Sequence, residues 1–328
     1  MKIKYIRLII ALSAIVFCSS CNNEWEDELF QHYVSFTKNG VADVYVRYKP
    51  DGKVSYQLPL VVSGSNKNQK NLNVQVALGT DTLPILNFER FRKREDLYFM
   101  ELDEQYYTIP EAVVNIPAGS CNGLLNIDFS LKDIDLVRNH VLPLIVAEGS
   151  NYLPNNRKHY RRAILNIIPF NDYSGTYSAT NGYIYDRTRP DGEQTPLVMN
   201  TRITRVVDEN SIFFYAGATD EDLQDRTVYK IVTKFIPDDE KNESGKLELS
   251  APDASIDFQQ KSATYKIVKE MDATIPYLEH TYITLNMEYW YDDVSNPQFP
   301  LHYKFVGSMT LERKRNILIP DEDQSFMW

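Results

Sequence analysis

Alternation of apolar and polar side chains with a period of two is the feature that most limits the folds open to this chain. Residues 71–78 carry it most strictly, with Leu72, Val74, Val76 and Leu78 falling on one face. A strand sends successive side chains to opposite faces, so such a segment is a half-buried strand. Residues 33–36, 41–48, 54–62, 106–109, 113–116, 124–129, 142–147 and 163–168 read the same way. Turn signals separate them, among them Asp51-Gly52, Pro117-Ala118-Gly119 and Pro154-Asn155-Asn156. Short strands at this spacing predict an Ig-like β-sandwich over 33–169. One segment, 88–99, departs from it. Its helical spacing at Phe88, Phe91 and Leu97 predicts one or two helical turns between strands.

The second half, 170–315, has longer strands at 203–207, 211–215, 227–235, 246–250, 262–269, 281–291 and 303–313. No helical pattern of about 15 residues intervenes, so parallel βαβ units are excluded and hairpins remain. Successive hairpins predict an antiparallel, lipocalin-like β-barrel, with a second sandwich as the alternative. The fold class is therefore all-β throughout. Residues 316–328 form a tail ending in Phe326-Met327-Trp328.

The N-terminus constrains the compartment. Lys2, Lys4 and Arg7 precede an uncharged apolar run at 8–17, followed by Cys18, Ser19, Ser20 and Cys21. That order is a secretory signal at 1–20. Its apolar run is far shorter than the ~20 residues of a spanning helix. The small residue before Cys21 resembles the lipobox of bacterial lipoproteins, although Cys18 stands where a Leu is usual. The resemblance implies lipidation of Cys21 and an anchor in the outer membrane, with the protein exposed at the cell surface. Residues 21–32 follow as an anchor and tether, acidic at Glu24, Glu26, Asp27 and Glu28.

Composition narrows the function. The 328-residue chain has a formal charge of −10, and loss of Lys2, Lys4 and Arg7 with the signal makes the remainder more acidic. A polyanion such as nucleic acid is repelled by such a chain, whereas neutral glycans are compatible with it. Cysteine numbers three. Export takes Cys18 and Cys21, which leaves Cys121 alone and no intramolecular disulfide. The chain lacks the Gly-x-Ser-x-Gly, His-Glu-x-x-His and phosphate-loop motifs. Its five histidines, His32, His140, His159, His280 and His302, have no metal-ligand spacing, so neither a metal nor a cofactor is expected. No catalytic residue is assigned. A glycoside hydrolase would need two facing carboxylates, which sequence spacing cannot reveal. Asp81-Thr82-Leu83 matches the O-glycosylation acceptor pattern of exported Bacteroidetes proteins.

Two segments carry a wider likeness. Tyr107-Thr108-Ile109-Pro110 and Val114-Asn115-Ile116-Pro117-Ala118-Gly119-Ser120 resemble an N-terminal adhesin-like domain long catalogued as of unknown function. Tyr173-Ser174-Gly175-Thr176-Tyr177 and Phe305-Val306-Gly307-Ser308-Met309-Thr310-Leu311 resemble its barrel-like partner. Together they resemble Bacteroidetes surface lipoproteins of polysaccharide-utilisation loci. The resemblance implies a surface glycan-binding or adhesin-like role beside an outer-membrane transporter, and transfers no catalytic residues.

The strand 281–291 supplies a candidate site. Ile283, Leu285, Met287 and Tyr289 form its apolar face, so Thr284, Asn286, Glu288 and Trp290 should face water. An exposed Trp beside the loop Asp292-Asp293-Val294-Ser295-Asn296-Pro297 offers a flat apolar platform for sugar C–H faces, with nearby polar groups for hydroxyls. His302 and Lys304 of the next strand fall on the same side. Tyr183 and Tyr185 end another strand, just before Asp186-Arg187. Trp290, His302, Asp292, Tyr183 and Tyr185 are thus the candidate glycan-binding residues. The first half would serve as a spacer. A protein-binding adhesin or assembly component is the alternative, and would present a contiguous apolar patch instead.

Overall fold

The computed structural model describes residues 30–49, 52–157 and 159–319. The expected export signal, Cys21, most of the expected tether and residues 320–328 of the tail lie outside them.

Ten strands build the first half. They are β1 (Tyr33–Phe36), β2 (Gly40–Arg47), β3 (Lys53–Ser63), β4 (Leu72–Leu78), β5 (Phe99–Glu101), β6 (Tyr107–Thr108), β7 (Val113–Ile116), β8 (Asn122–Ser130), β9 (Asn139–Val146) and β10 (Arg162–Phe170). One sheet has the order β1-β3-β8-β6; the other has the order β2-β10-β9-β4-β7, with β5 added on β9. The alternation in β8 shows why they stack. Leu125, Ile127 and Phe129 are fully buried, while Asn126 and Asp128 face outward to Gln57 and Ser55 of β3. Phe36, Leu58, Leu60, Val74, Leu142 and Leu165 meet these residues in one core. Burying such side chains contributes roughly 1.5–3 kcal/mol each.

The helical insertion exists but is shifted. Helix α1 spans Leu83–Phe91, opens on Pro84 and stops at Arg92, whose φ is 57°. A proline in the first turn is preorganised for that position. Glu95–Leu97 forms a short 3₁₀ turn. Phe88 is 56% exposed, and Leu83 and Asn87 are buried instead. The reason is the Asn87 amide. It donates to Phe99 O and accepts from Phe99 N, both at 2.9 Å, and so pairs with β5 as a strand residue would.

The second half is the predicted barrel. Its strands are β11 (Gly175–Asp186), β12 (Leu197–Val198), β13 (Thr201–Asp208), β14 (Ser211–Tyr215), β15 (Lys230–Pro237), β16 (Ser244–Ser250), β17 (Gln259–Met271), β18 (Leu278–Asp293) and β19 (Leu301–Asn316). Each pairs antiparallel with its chain neighbour from β13 to β19, β11 pairs with β13, and β11–β19 pairing closes the ring; β12 lies outside on β11. Closure passes through a bulge where β11 slips register between Ser178 and Asn181. A Cβ on Gly307 would stand 2.0 Å from Asn181 O, and one on Gly182 would stand 2.6 Å from the Phe305 ring. Only glycine lets the two backbones approach this closely.

The barrel interior is filled. Tyr177, Phe214, Phe235, Tyr265, Leu285, Tyr289, Phe305 and Met309 are each no more than 2% exposed. Tyr289 stacks on Phe305 at 4.9 Å, and Tyr173 on Phe235 at 3.8 Å. The resemblance to a lipocalin therefore ends at topology, since side chains occupy the space a calyx would need.

The two halves are joined firmly. Asn171 accepts from the Tyr173 and Ser174 amides and donates to the Asp208 and Ser211 carbonyls. Arg313 gathers the Asn171, Asp172 and Ser174 carbonyls. Arg226 of the barrel half donates to Asp96 at 2.8 Å, and Arg94 pairs with the same carboxylate. Leu136, Val206, Phe213 and Tyr215 form an apolar cluster across the joint, backed by Tyr48 and Ile134.

Candidate functional site

The barrel register brings the five candidate residues onto one outer wall. Trp290 of β18 lies opposite Lys304 of β19, and Lys304 lies opposite Tyr185 of β11. Gln259 of β17 completes that row on the other side of Trp290. One row further along, Asp292 faces His302. Tyr183 stands two residues before Tyr185, opposite Val306 and Val198. Tyr289 and Tyr291, which flank Trp290, are buried in the barrel, so the wall is the outward face of the same strands.

Trp290 is half-buried rather than bare. Lys261 Nζ sits 3.6 Å from the ring centroid, and the Arg187 guanidinium is 5.1 Å away. A cation over an indole face is held by the ring quadrupole. Lys261 reaches this position because it is the extra residue of a β-bulge. Gln260 pairs with Tyr289 and Ser262 with Glu288, which leaves Lys261 without an opposite number. The indole Nε1 is buried and has no hydrogen-bond partner among the described residues.

Beside the ring is a polar cluster. Asp292 Oδ1 accepts from Arg187 and from His302 Nδ1, the latter at 2.7 Å. The Arg187 amide donates to His302 O at 2.7 Å. Asp292 is 13% and His302 42% exposed at the side chain, so one anchors the cluster and the other opens to solvent. The loop after β11 is folded by its own side chains. Asp186 accepts from the Thr188 amide and hydroxyl, which holds its carboxyl below the usual range, and Gln194 clasps the Asp186 backbone. Lys304 pairs with Asp191 of that loop at 2.6 Å and lies 5.4 Å over Tyr185. Tyr183 is 39% exposed.

On this wall the Asp292 carboxylate is engaged by the Arg187 guanidinium and the His302 ring. Among the described residues no group of three or more His, Cys, Asp and Glu could hold a metal ion. Trp290 was legible from strand parity, and Tyr183 and Tyr185 only from their place at a strand end. Lys261 was not, because a bulge leaves no trace in an alternation pattern. A cavity of about 680 Å³ at one end of the sandwich, bordered by Asn68, Asn151 and Tyr152, includes none of the five residues. Asp81 of the acceptor motif is held by Arg162 at 2.6 and 2.9 Å, and Leu83, the first residue of α1, is buried.

Comparison with known proteins covers most of the chain. Residues 25–150 match the model of the domain of unknown function DUF4973, and residues 161–310 match a model described only as a "-like, C-terminal" domain. No curated protein matches. A Bacteroides ovatus protein of unknown function is 42% identical with a TM-score of 0.79, covering 90% of this chain and 100% of its own. A Bacteroides ovatus multidomain protein including DUF1735 is 40% identical with a TM-score of 0.77, over 90% of this chain and 100% of its own. A Bacteroides thetaiotaomicron protein described as an auxiliary nutrient binding protein is 35% identical with a TM-score of 0.77, over 88% and 96%. The chain thus belongs to the family of these Bacteroides proteins, and in it a DUF4973 sandwich is followed by a closed, filled β-barrel.

Proposed function

We propose that this protein is a non-catalytic cell-surface lipoprotein that captures glycan for uptake, anchored in the outer membrane through Cys21. The observation that carries the reading is the outer wall of the barrel. There the register sets Trp290, Tyr185 and Tyr183 beside an Asp292–His302–Arg187 cluster. Aromatic faces stack on sugar rings, and the charged groups beside them bond hydroxyls. The relative described as an auxiliary nutrient binding protein supports the same role. Lys261 lies on the indole, so a sugar takes that face by displacing a flexible, solvent-exposed side chain. Trp290→Ala tests the platform on a polysaccharide panel. Loss of at least tenfold in affinity, with the melting temperature unchanged, is the expected outcome. Undiminished binding by a folded variant would refute it. In this setting an outer-membrane transporter is the natural partner, receiving what the wall captures.

A second reading has its own observation. Leu197, Val198, Phe299 and Leu301 are each more than half exposed, near the Tyr183 and His302 ends of the wall. Such a grouping suits an adhesin or assembly contact with a protein. Silence on the glycan panel, with pull-down dependent on Leu197 and Phe299, would favour it.

A further inference from the structure

A cleft of about 310 Å³ opens between the two halves, away from the wall of Trp290. That is the lower end of the ~300–1,000 Å³ range of small-molecule sites, which favour domain interfaces. Its sides come from two sheets that each turn their outer face to the gap. From the sandwich come Asn166 of β10 and Arg138 of the turn before β9; from the barrel come Thr176 of β11 and Ile203 of β13, directly paired across the strands. Leu136 supplies buried apolar floor, and Ile168, half-buried on the same face of β10 as Asn166, adds apolar surface beside it.

The polar inventory is unspent. Arg138 has no ion pair or hydrogen bond among the described residues, whereas Arg205 at the rim is paired with Glu221. Asn166 gives one amide hydrogen to Asp43 at 2.7 Å and keeps its carbonyl and other hydrogen. The Thr176 hydroxyl likewise has no hydrogen bond among the described residues. An apolar floor, a hydroxyl and an amide match a small polyhydroxy ring. An unpaired guanidinium presents a planar fork of donors that fits a carboxylate bidentately. The walls are preformed, because Asn171, Arg313 and the Arg226–Asp96 pair hold the halves together. A preformed site loses little ordering entropy on binding.

We propose that this cleft is a second ligand site, independent of the outer wall, and that it takes a sugar acid one ring in size. Arg138 receives the carboxylate, Asn166 and Thr176 the ring hydroxyls, and Ile203 the apolar face. Titration calorimetry of the full chain with galacturonate and glucuronate, against galactose and glucose, tests it. The uronates should bind at least tenfold more tightly than the neutral sugars. Arg138→Gln should erase that preference, and Ile203→Trp, which fills the cleft, should abolish binding. Both positions are solvent-exposed, so the melting temperature should hold. Trp290→Ala should leave uronate binding intact. Absence of uronate binding, equal affinity for neutral sugars, or loss in Trp290→Ala with retention in Arg138→Gln would each overturn the proposal.

Discussion

Replacing Gly307 by Ala tests how the barrel closes. The new Cβ would meet Asn181 O at 2.0 Å and Gly182 Cα at 3.0 Å, both backbone atoms that cannot rotate away. The residue also has φ of 143°, which a side chain strains by about 1–3 kcal/mol. Forcing β11 and β19 apart adds a cost like that of overpacking, about 1–3 kcal/mol. Stiffening the unfolded chain destabilises it, and so returns about 0.4–1 kcal/mol to the fold. The net is a loss of about 3 kcal/mol. For a domain of this size each kcal/mol moves Tm by about 2–4 °C, so a drop near 10 °C is expected by scanning calorimetry. Gly192→Ala is the control, because nothing lies within 4 Å of its Cβ. Its effect should stay within about 0.5 kcal/mol. A Gly307→Ala transition within 2 °C of the parent would refute the reasoning, since it would mean the closing strands had room to spare. Because Tyr183 and Tyr185 pair with β19 beside this glycine, glycan affinity should fall with it.

His280 bonds Glu312 at 2.8 Å and Asp272 at 3.0 Å, and these partners raise its pKa above the ordinary 6.5. Its stabilising effect is complete below that value and fades as pH rises through the folded pKa. Glu312, held down chiefly by His280, and Asp272, held down chiefly by the Thr274 amide, stabilise above their ordinary values of 4.5 and 3.8 and cease to do so in acid. His280→Gln should therefore flatten the fall in Tm that sets in as pH rises above the ordinary histidine value; an unchanged pH profile would contradict this. Asn87→Ala strips the Phe99 amide and carbonyl of their partners, and each buried orphan costs about 1–3 kcal/mol. Urea unfolding should show a loss of about 2–6 kcal/mol, and Asn87→Gln should not restore it.

Much of this architecture was readable from strand parity. The odd set of β18 is buried and the even set faces out, as its side chains require. The same parity puts His302 and Lys304 on the side of Trp290. Parity cannot, however, say which strands become neighbours. Tyr183 and Tyr185 join Trp290 only through the β11–β19 pairing, between segments more than a hundred residues apart. Bulges are equally silent, so Lys261 and its seat on the indole were not anticipated. The helix began earlier than spacing suggested, because Pro84 sets its start and a polar residue, Asn87, fills its inner face. Apolar periodicity has no means of marking an amide that stands in for a strand.

A barrel packed solid with tyrosine and phenylalanine has no mouth, and so imposes no order of entry on what it binds. A polymer does not need to thread an end into it. In the proposed role, any internal stretch would lie across the wall where Trp290, Lys304 and Tyr185 stand in line across the strands. On the proposed glycan-capturing role, several copies of the protein would hold one long chain at once, and grip would scale with polymer length even when each contact is weak.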